Sequence, residues 1–592
     1  MQQTATSDRR LGAVEVEIIK GALRAAQGEM EIVLERTAMS PFIREKKDFF
    51  AGIHAPSGRA VICTPIPFFG DLAKPVLEVY PISKMNPGDV YWYNDCYGSR
   101  GAVSHSSDQV LVAPIYFEGQ VVGLTQSWAH FADIGGMRPG SMSPHTTDIF
   151  QEGLVVPPVK LIDRGNMSDD LIRLFERNSR FPQFIQGDLR AMIAAVRLGG
   201  RRIEEMCARY GTGNLQAAFD EILGQTERSI RRTAVETFKK GTYSFSDVVD
   251  QDGLGNGPFK LVVDLTSDGE NITIDLTKSS DQTPGPVNFL MASLVPKMML
   301  GLFFSGSEPT LLINDGCETA IGEIKTRPGS IVEPIHPAPI GQRGITLVQL
   351  QSCLSGVINV ANGGRGVAAS SPYSLYYMRG KAPNGEPFLL TDGVAVGHGA
   401  RSFADGHDAI YLVAQKNYPA EFLETAYPVR LHRYAINPDS GGPGQYRGGC
   451  GVIRDVEVLA DSAMLSNRIG GEASAPWGVS GGQSARAGKV TINPGTSEQR
   501  ELPPMCDGTI VRKGDIVRLQ TGGGGGWGHP FDRPSEQVRN DVLGGFVTVA
   551  GAEADYGVVL TGEDFNIDEQ KTALRRKNRG TVKLFHREEY FE

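Results

Sequence analysis

LVAPIYFEGQVVGLTQSWAH (111–130) decides how the N-terminal region is read. Two runs rich in β-branched and aromatic residues flank Glu118-Gly119, the pattern of a β-hairpin with strands over 108–117 and 119–128. Pairing those strands brings residues 108 and 130 close to opposite one another at the open end. His105-Ser106-Ser107-Asp108 begins the first strand, and His130-Phe131-Ala132-Asp133 closes the second. His105, Asp108, His130 and Asp133 therefore become candidates to converge on one point. Imidazole nitrogens with carboxylate oxygens form a mixed donor set that suits Zn²⁺, Mn²⁺ or Fe²⁺ and leaves a position for water or substrate. Asp95, in the turn after GDVYWYND (88–95), is a further candidate ligand, or an acceptor that fixes a histidine tautomer. The plainer reading is that these are turn and surface residues, since Asp and His both favour loops.

Outward from the hairpin, apolar residues recur at helical spacing at Val14, Ile18, Ala22, Ala26, Met30 and Val33, predicting a helix over 12–37 that stops before Ser40-Pro41. Segments 59–69 and 88–95 read as strands. Residues 185–240 are helical in composition and break at Gly211-Thr212-Gly213. Alternating strand material follows in KLVVDLTSD (260–268) and NITIDLTKS (271–279), then a proline-rich connector, IVEPIHPAPIGQRG (331–344), and a helix within 345–380. From 381 onward, glycine-rich turns separate short apolar runs. The expected fold class is α+β and multi-domain: an N-terminal mixed region (1–240) with the candidate metal site, a middle α+β domain (241–380) and a β-rich C-terminal domain (381–592).

The 592 residues include 72 glycines and 35 prolines, with 40% hydrophobic and 21% charged residues. Turns on that scale favour a β-rich or α+β body, and the apolar share excludes disorder. A net charge of −9 argues against a nucleic-acid or anionic-membrane partner, both of which need a basic surface. The chain opens with no apolar leader segment, and its seven scattered cysteines include no C-x-x-C pair. Reduced thiols and a cytoplasmic location are expected.

Four further places bear on function. Ile43 to Phe50 sets five charges between apolar residues; a solvated helix end is the ordinary account, with Asp48 a candidate ligand. Thr521 followed by Gly522 to Gly526 and Trp527 lacks the lysine of a phosphate loop, so a tight crossover of backbones is expected and no nucleotide site. Cys96 has no assigned base and reads as a buried filler rather than a nucleophile, and His398 and His407 read as loop-structural.

Taken together, RTAMSPFIREKKDFF (36–50), GDVYWYNDCYGSRGAVSHSSD (88–108), AHFADIGG (129–136), INDGC (313–317), PVRLHRYAINPDSGGPGQYRGGCGVIRD (428–455) and TGGGGGWGHPFDR (521–533) resemble the hydantoinase B/oxoprolinase family, the β-type subunits of ATP-dependent hydantoinases. The resemblance implies a divalent metal, Zn or Mn, at the positions matching Asp48, His105, Asp108 and His130, with Asp133 or Asp95 as general base or ligand-orienting residue. It implies a separate ATP-binding partner of the actin-like ATPase class in an (αβ)2 or higher assembly. The implied reaction is opening of a 5-substituted hydantoin to an N-carbamoyl amino acid. Lactam or 5-oxoproline opening, ATP-dependent carboxylation of acetone- or acetophenone-like ketones, and a non-catalytic scaffold for the ATPase are the alternatives. The chain departs from the family pattern at Cys96 and at Ala102, Val103, Ser106 and Ser107, while His105 and Asp108 are kept.

Overall fold

The computed structural model describes residues 11–305, 310–411, 415–471 and 473–587. Helix α1 (Ala13–Thr37) buries Val16, Ile19, Leu23, Ala26, Met30 and Leu34 along one stripe, and the chain turns extended at Ala38, ahead of Ser40-Pro41. A seven-stranded sheet follows: β1 (Phe49–His54), β2 (Ala60–Cys63), β3 (Val90–Tyr93), β4 (Asp108–Phe117), β5 (Gln120–His130), β6 (Val159–Asp163) and β7 (Asn166–Met167). Its order is β2-β1-β5-β4-β3-β6-β7. Helices α2 (Pro182–Tyr210) and α3 (Thr212–Thr237) come next, parted at Gly211, whose φ of 84° ends the first.

The β4–β5 hairpin forms where the sequence places it. Glu118 and Gly119 take φ of 49° and 80°, the two positive values a two-residue turn needs to match strand twist. Leu111, Ala113 and Ala129 face α1 and α2, while Val110, Val112, Leu124 and Trp128 pack on the opposite face against Phe50, Phe69 and Tyr93. The sheet is thus buried on both sides. The expected strand over 59–69 is only four residues long, because Pro65 and Pro67 interrupt the run and cannot donate to a ladder.

The middle region forms a sheet of β8 (Gly241–Val249), β9 (Phe259–Ser267), β10 (Ile272–Asp275) and β11 (Ile324–Lys325), ordered β11-β10-β9-β8. Helix α4 (Gly344–Asn362) shares its apolar core with β8 and β9. It is the one described helix long and apolar enough to cross a membrane, yet 78% of that window is buried inside the fold.

Beyond it come β12 (Ser374–Lys381), β13 (Pro387–Val394), β14 (Val429–Ile436), β15 (Val452–Val458), β16 (Ser462–Arg468), β17 (Lys489–Ile492), β18 (Arg500–Leu502), β19 (Met505–Arg512) and β20 (Ile516–Gln520). They make two sheets, β13-β12-β16-β19 and β14-β15-β20-β17-β18, around one apolar interior containing Tyr376, Leu390, Val456, Leu465 and Val517. The last residues add helices at Ser535–Leu543, Val549–Tyr556 and Glu569–Arg576, so this end is less purely β than its glycine-rich text suggests.

The glycine run is the expected crossover. A Cβ on Gly523, Gly524, Gly525 or Gly526 would lie 1.9 to 2.2 Å from another segment's backbone, including that of His398 and Trp477. Only hydrogen fits there.

Candidate functional site

Asp108, first residue of β4, and His130, last residue of β5, are register partners. β1 pairs with the other edge of β5, placing Phe49 opposite Ala129, and the His130 amide donates to the Asp48 carbonyl at 3.1 Å. The short helix Pro41–Arg44 and a positive φ of 61° at Lys47 turn the chain into β1 immediately before Asp48. His105 sits in the turn entering β4, its carbonyl accepting the Asp108 amide. Asp48, His105, Asp108 and His130 are thereby brought to one cavity of about 630 Å³, its open mouth included.

The His105 and His130 rings lie 4.9 Å apart, and His105 Nε2 is 3.0 Å from Asp108 Oδ1. That approach lacks hydrogen-bond alignment: both carboxylate oxygens of Asp108, and Nδ1 of His130, are buried without a hydrogen-bond partner. Arg343 stands 3.6 Å from Asp108 Oδ2. Asp48 Oδ2 accepts from Gln415 Nε2 at 2.8 Å, and Gln415 is held in turn by the Tyr373 hydroxyl.

Burial sets the protonation states. Desolvation, and then the neighbouring charge of Asp108, push Asp48 up to about 7. Asp108 rises to about 6 by desolvation, restrained by Arg343. His130 falls to about 3 and His105 well below its ordinary value, both through burial first. Both imidazoles are neutral at pH 7 and keep a free nitrogen lone pair.

Unpaired buried carboxylate oxygens are costly. With two neutral imidazoles beside them, their donor chemistry fits a divalent cation such as Zn²⁺ or Mn²⁺. Among the described residues, however, no three His, Cys, Asp or Glu side chains stand together so as to hold a metal ion as they are placed. The cluster is a donor set around a cavity, with Asp48 drawn aside by Gln415.

Asp133 and Asp95, expected as base or ligand-orienting residues, are placed away from the cavity lining. Asp133 does not line the cavity: its carboxylate accepts from Arg180 NH1 at 2.9 Å, the Arg180 amide at 2.7 Å and the Gly140 amide at 3.0 Å. Asp95 also lies off the cavity, where its Oδ1 accepts the Gly98 amide at 2.8 Å in a turn. Cys96 is buried, its thiol directed to the Asn94 carbonyl at 3.6 Å and pushed well above its ordinary pKa by desolvation, as suits a filler. His398 and His407 flank the glycine crossover with rings 6.5 Å apart.

Arg343, Tyr373, Gln415 and Arg468, which no sequence pattern singles out, close the cavity from the middle and C-terminal regions. Arg343 stands at the end of the proline-rich connector, where its neighbours suggest only a linker. Phe68, Phe69, Trp128 and Leu347 supply an apolar wall.

The family model for hydantoinase B/oxoprolinase matches residues 12–530. A chain from Pseudomonas sp. (strain NS671), named as the B-type subunit of a D-/L-hydantoinase, is 30% identical, the match covering 98% of this chain and 100% of that one. The crystal structure of ATP-dependent caprolactamase from Pseudomonas jessenii superposes with a TM-score of 0.86 at 25% identity, over 96% of this chain and 100% of that one. A nucleotide-free acetone carboxylase structure gives 0.83 at 20% identity, covering 95% and 82%, a likeness of fold.

Proposed function

This chain belongs to the hydantoinase B/oxoprolinase family, and from that premise we propose that it is the ring-opening subunit of an ATP-dependent cyclic-amide hydrolase acting on 5-substituted hydantoins. The observation that carries this reading is the convergence of Asp48, His105, Asp108 and His130, with orphaned donor atoms, on one largely apolar cavity. An amide is a poor electrophile with a poor leaving group. A separate ATP-binding subunit, which the subunit naming of the hydantoinase relative supports, would activate the ring carbonyl oxygen by phosphorylation. Overall, two waters would be consumed: one adds across the ring C–N bond, leaving a carboxylate and an N-carbamoyl amine, and the other releases the transferred phosphoryl group as inorganic phosphate, with ADP left on the partner.

His105, Asp108 and His130, with Asp48, are the residues that would hold a divalent ion, and the chemistry such an ion supplies is Lewis acidity toward a carbonyl and a lowered pKa for water. Gln415 from the C-terminal region, held by Tyr373 from the end of the middle region, fixes the orientation of Asp48. Phe68, Phe69 and Trp128 hold the apolar part of a substrate and keep bulk water out, which strengthens the electrostatics of the buried groups. Asp133, through Arg180, holds the 133–140 loop against the start of α2.

The test is co-expression with the ATP-binding subunit, followed by metal analysis and hydantoin-dependent ATP hydrolysis for wild type and His105→Ala. About one divalent ion per chain, with activity lost in the variant, supports the reading. A metal-free active complex, or an active variant, removes it; tight assembly without hydrolysis is the outcome of a scaffold.

A further inference from the structure

Arg468 ends β16 with its guanidinium over the start of α4. A Cβ built on Gly344 would lie 3.3 and 3.6 Å from its two terminal nitrogens. NH1 donates to Gln342 Oε1 at 3.1 Å, while Nε is buried without a hydrogen-bond partner. The residue is 3% exposed and lines the cavity. Its charged and polar neighbours include Arg343, His105, Gln342, Tyr373 and Tyr377; among the described residues no carboxylate forms an ion pair with it. Burial, with Arg343 adding to it, pushes its pKa down to about 10.

Arg343 immediately precedes α4 and lines the same wall. Its Nε donates to Ser104 Oγ at 2.9 Å, and Asp108, 3.6 Å from NH2, is its ion-pair partner. Two guanidinium groups therefore line one cavity wall at the positive end of a 19-residue helix. Like charges gathered at a helix N-terminus repel, and a buried cation without a counter-charge is expensive. An anion between them reverses both costs. Planar guanidinium groups and a helix N-terminus suit the oxygens of a carboxylate or phosphoryl group.

We propose that Arg343, Arg468 and the first turn of α4 form an anion subsite that holds a carboxylate or phosphoryl group of the molecule entering the cavity. The proposal rests on the reading that this cavity receives the substrate. The aromatic wall of Phe68, Phe69 and Trp128 takes the apolar part of that molecule, and the arginine wall takes its charge. The anionic group has two sources: a carboxylate native to the substrate, or a phosphoryl group added to it by the ATP-dependent step.

Calorimetric titration of the full-length chain with inorganic phosphate and with acetate, at matched chloride ionic strength, tests it. The wild type is expected to bind one anion per chain, with affinity falling at least tenfold in Arg468→Gln and less in Arg468→Lys. Binding of phosphate alone identifies a phosphoryl group, and binding of acetate alone a carboxylate; either result supports the subsite. No binding of either anion by the wild type overturns it, as does unchanged affinity in a folded variant. If Arg468→Gln does not fold, Arg468→Lys and Arg343→Lys carry the same comparison. Anion binding without cyclic-amide turnover by the assembled complex keeps the subsite and removes the hydrolase reading. Turnover without anion binding does the reverse.

Discussion

Asp108 and His130 face each other as the terminal register pair of the β4–β5 hairpin, and neither Asp108 oxygen is spent on a hydrogen bond. What its charge does contribute is the ion pair with Arg343, whose NH2 stands 3.6 Å from Oδ2, and an amide of the same shape would forfeit that pair. Asp108→Asn is therefore expected to fold with a lowered melting temperature, because Arg343 loses its counter-charge, and under the proposed function to lose bound divalent metal and at least about 100-fold in cyclic-amide turnover, a ligand costing no less than the outer residues around it. Metal analysis beside a thermal melt checks both halves.

Gln415 reaches Asp48 from the far side of the cavity with a 2.8 Å hydrogen bond. Its removal frees the carboxylate to adopt other orientations without taking away a donor. Gln415→Ala should weaken metal affinity by roughly 10–100-fold, with maximal activity recovered at saturating metal. Activity that stays low at every metal concentration would assign Gln415 a different task.

Glu152 gives the stability a pH dependence. It is buried, accepts the Gly341 amide at 2.8 Å and the Thr146 hydroxyl at 2.8 Å, and is raised to about 7, chiefly by desolvation. A carboxyl whose folded pKa lies above its unfolded one binds more protons in the native state. Its stabilising contribution is complete below about 4.5 and is lost as pH rises toward about 7. The full difference amounts to about 3 kcal/mol. Urea titrations across that window should show a slope of this sign in wild type, to which Asp48 and Asp108 add, and a flatter one in Glu152→Gln.

Lys46 and Arg454 share the buried carboxylate of Asp392, at 2.6 and 2.5 Å. Removing the anion strands two cations, whereas removing Lys46 leaves a neutral pair. Asp392→Asn should cost about 3–5 kcal/mol, and Lys46→Met markedly less. Equal losses would place the cost in packing rather than charge.

Gly524→Ala would drive a Cβ to 2.0 Å from the His398 backbone. Since backbone cannot rotate away, a loss of about 3 kcal/mol or more is expected, at the upper end for overpacking. Gly580→Ala, which meets nothing within 4 Å, is the control. It should stay within about 0.5 kcal/mol.

The hairpin, the first helix and the break at Gly211 were legible because each depends on neighbours in sequence: a period of two, a period of 3.6, and a residue able to take positive φ. His105, Asp108 and His130 became legible with them, since the hairpin alone brings them together. Asp48 needed the family resemblance, because a charge run beside a helix end reads as solvated until a strand pairing carries it inward. Arg343, Tyr373, Gln415 and Arg468 were not legible. Their place in the cavity follows from how the second and third regions fold over the first, and no local pattern encodes that. The strand expected over 59–69 stopped short at prolines visible in the sequence, where an apolar run had outweighed them.

The Gln415–Asp48 bond joins positions 367 residues apart. A ribosome releases Asp48, His105, Asp108 and His130 long before Arg343, and Arg343 long before Gln415 and Arg468. During synthesis the emerging donors therefore have one wall and no roof. The chain cannot close this cavity until most of its length has been translated, so an aborted or clipped N-terminal product carries the four candidate donors without the wall that encloses them.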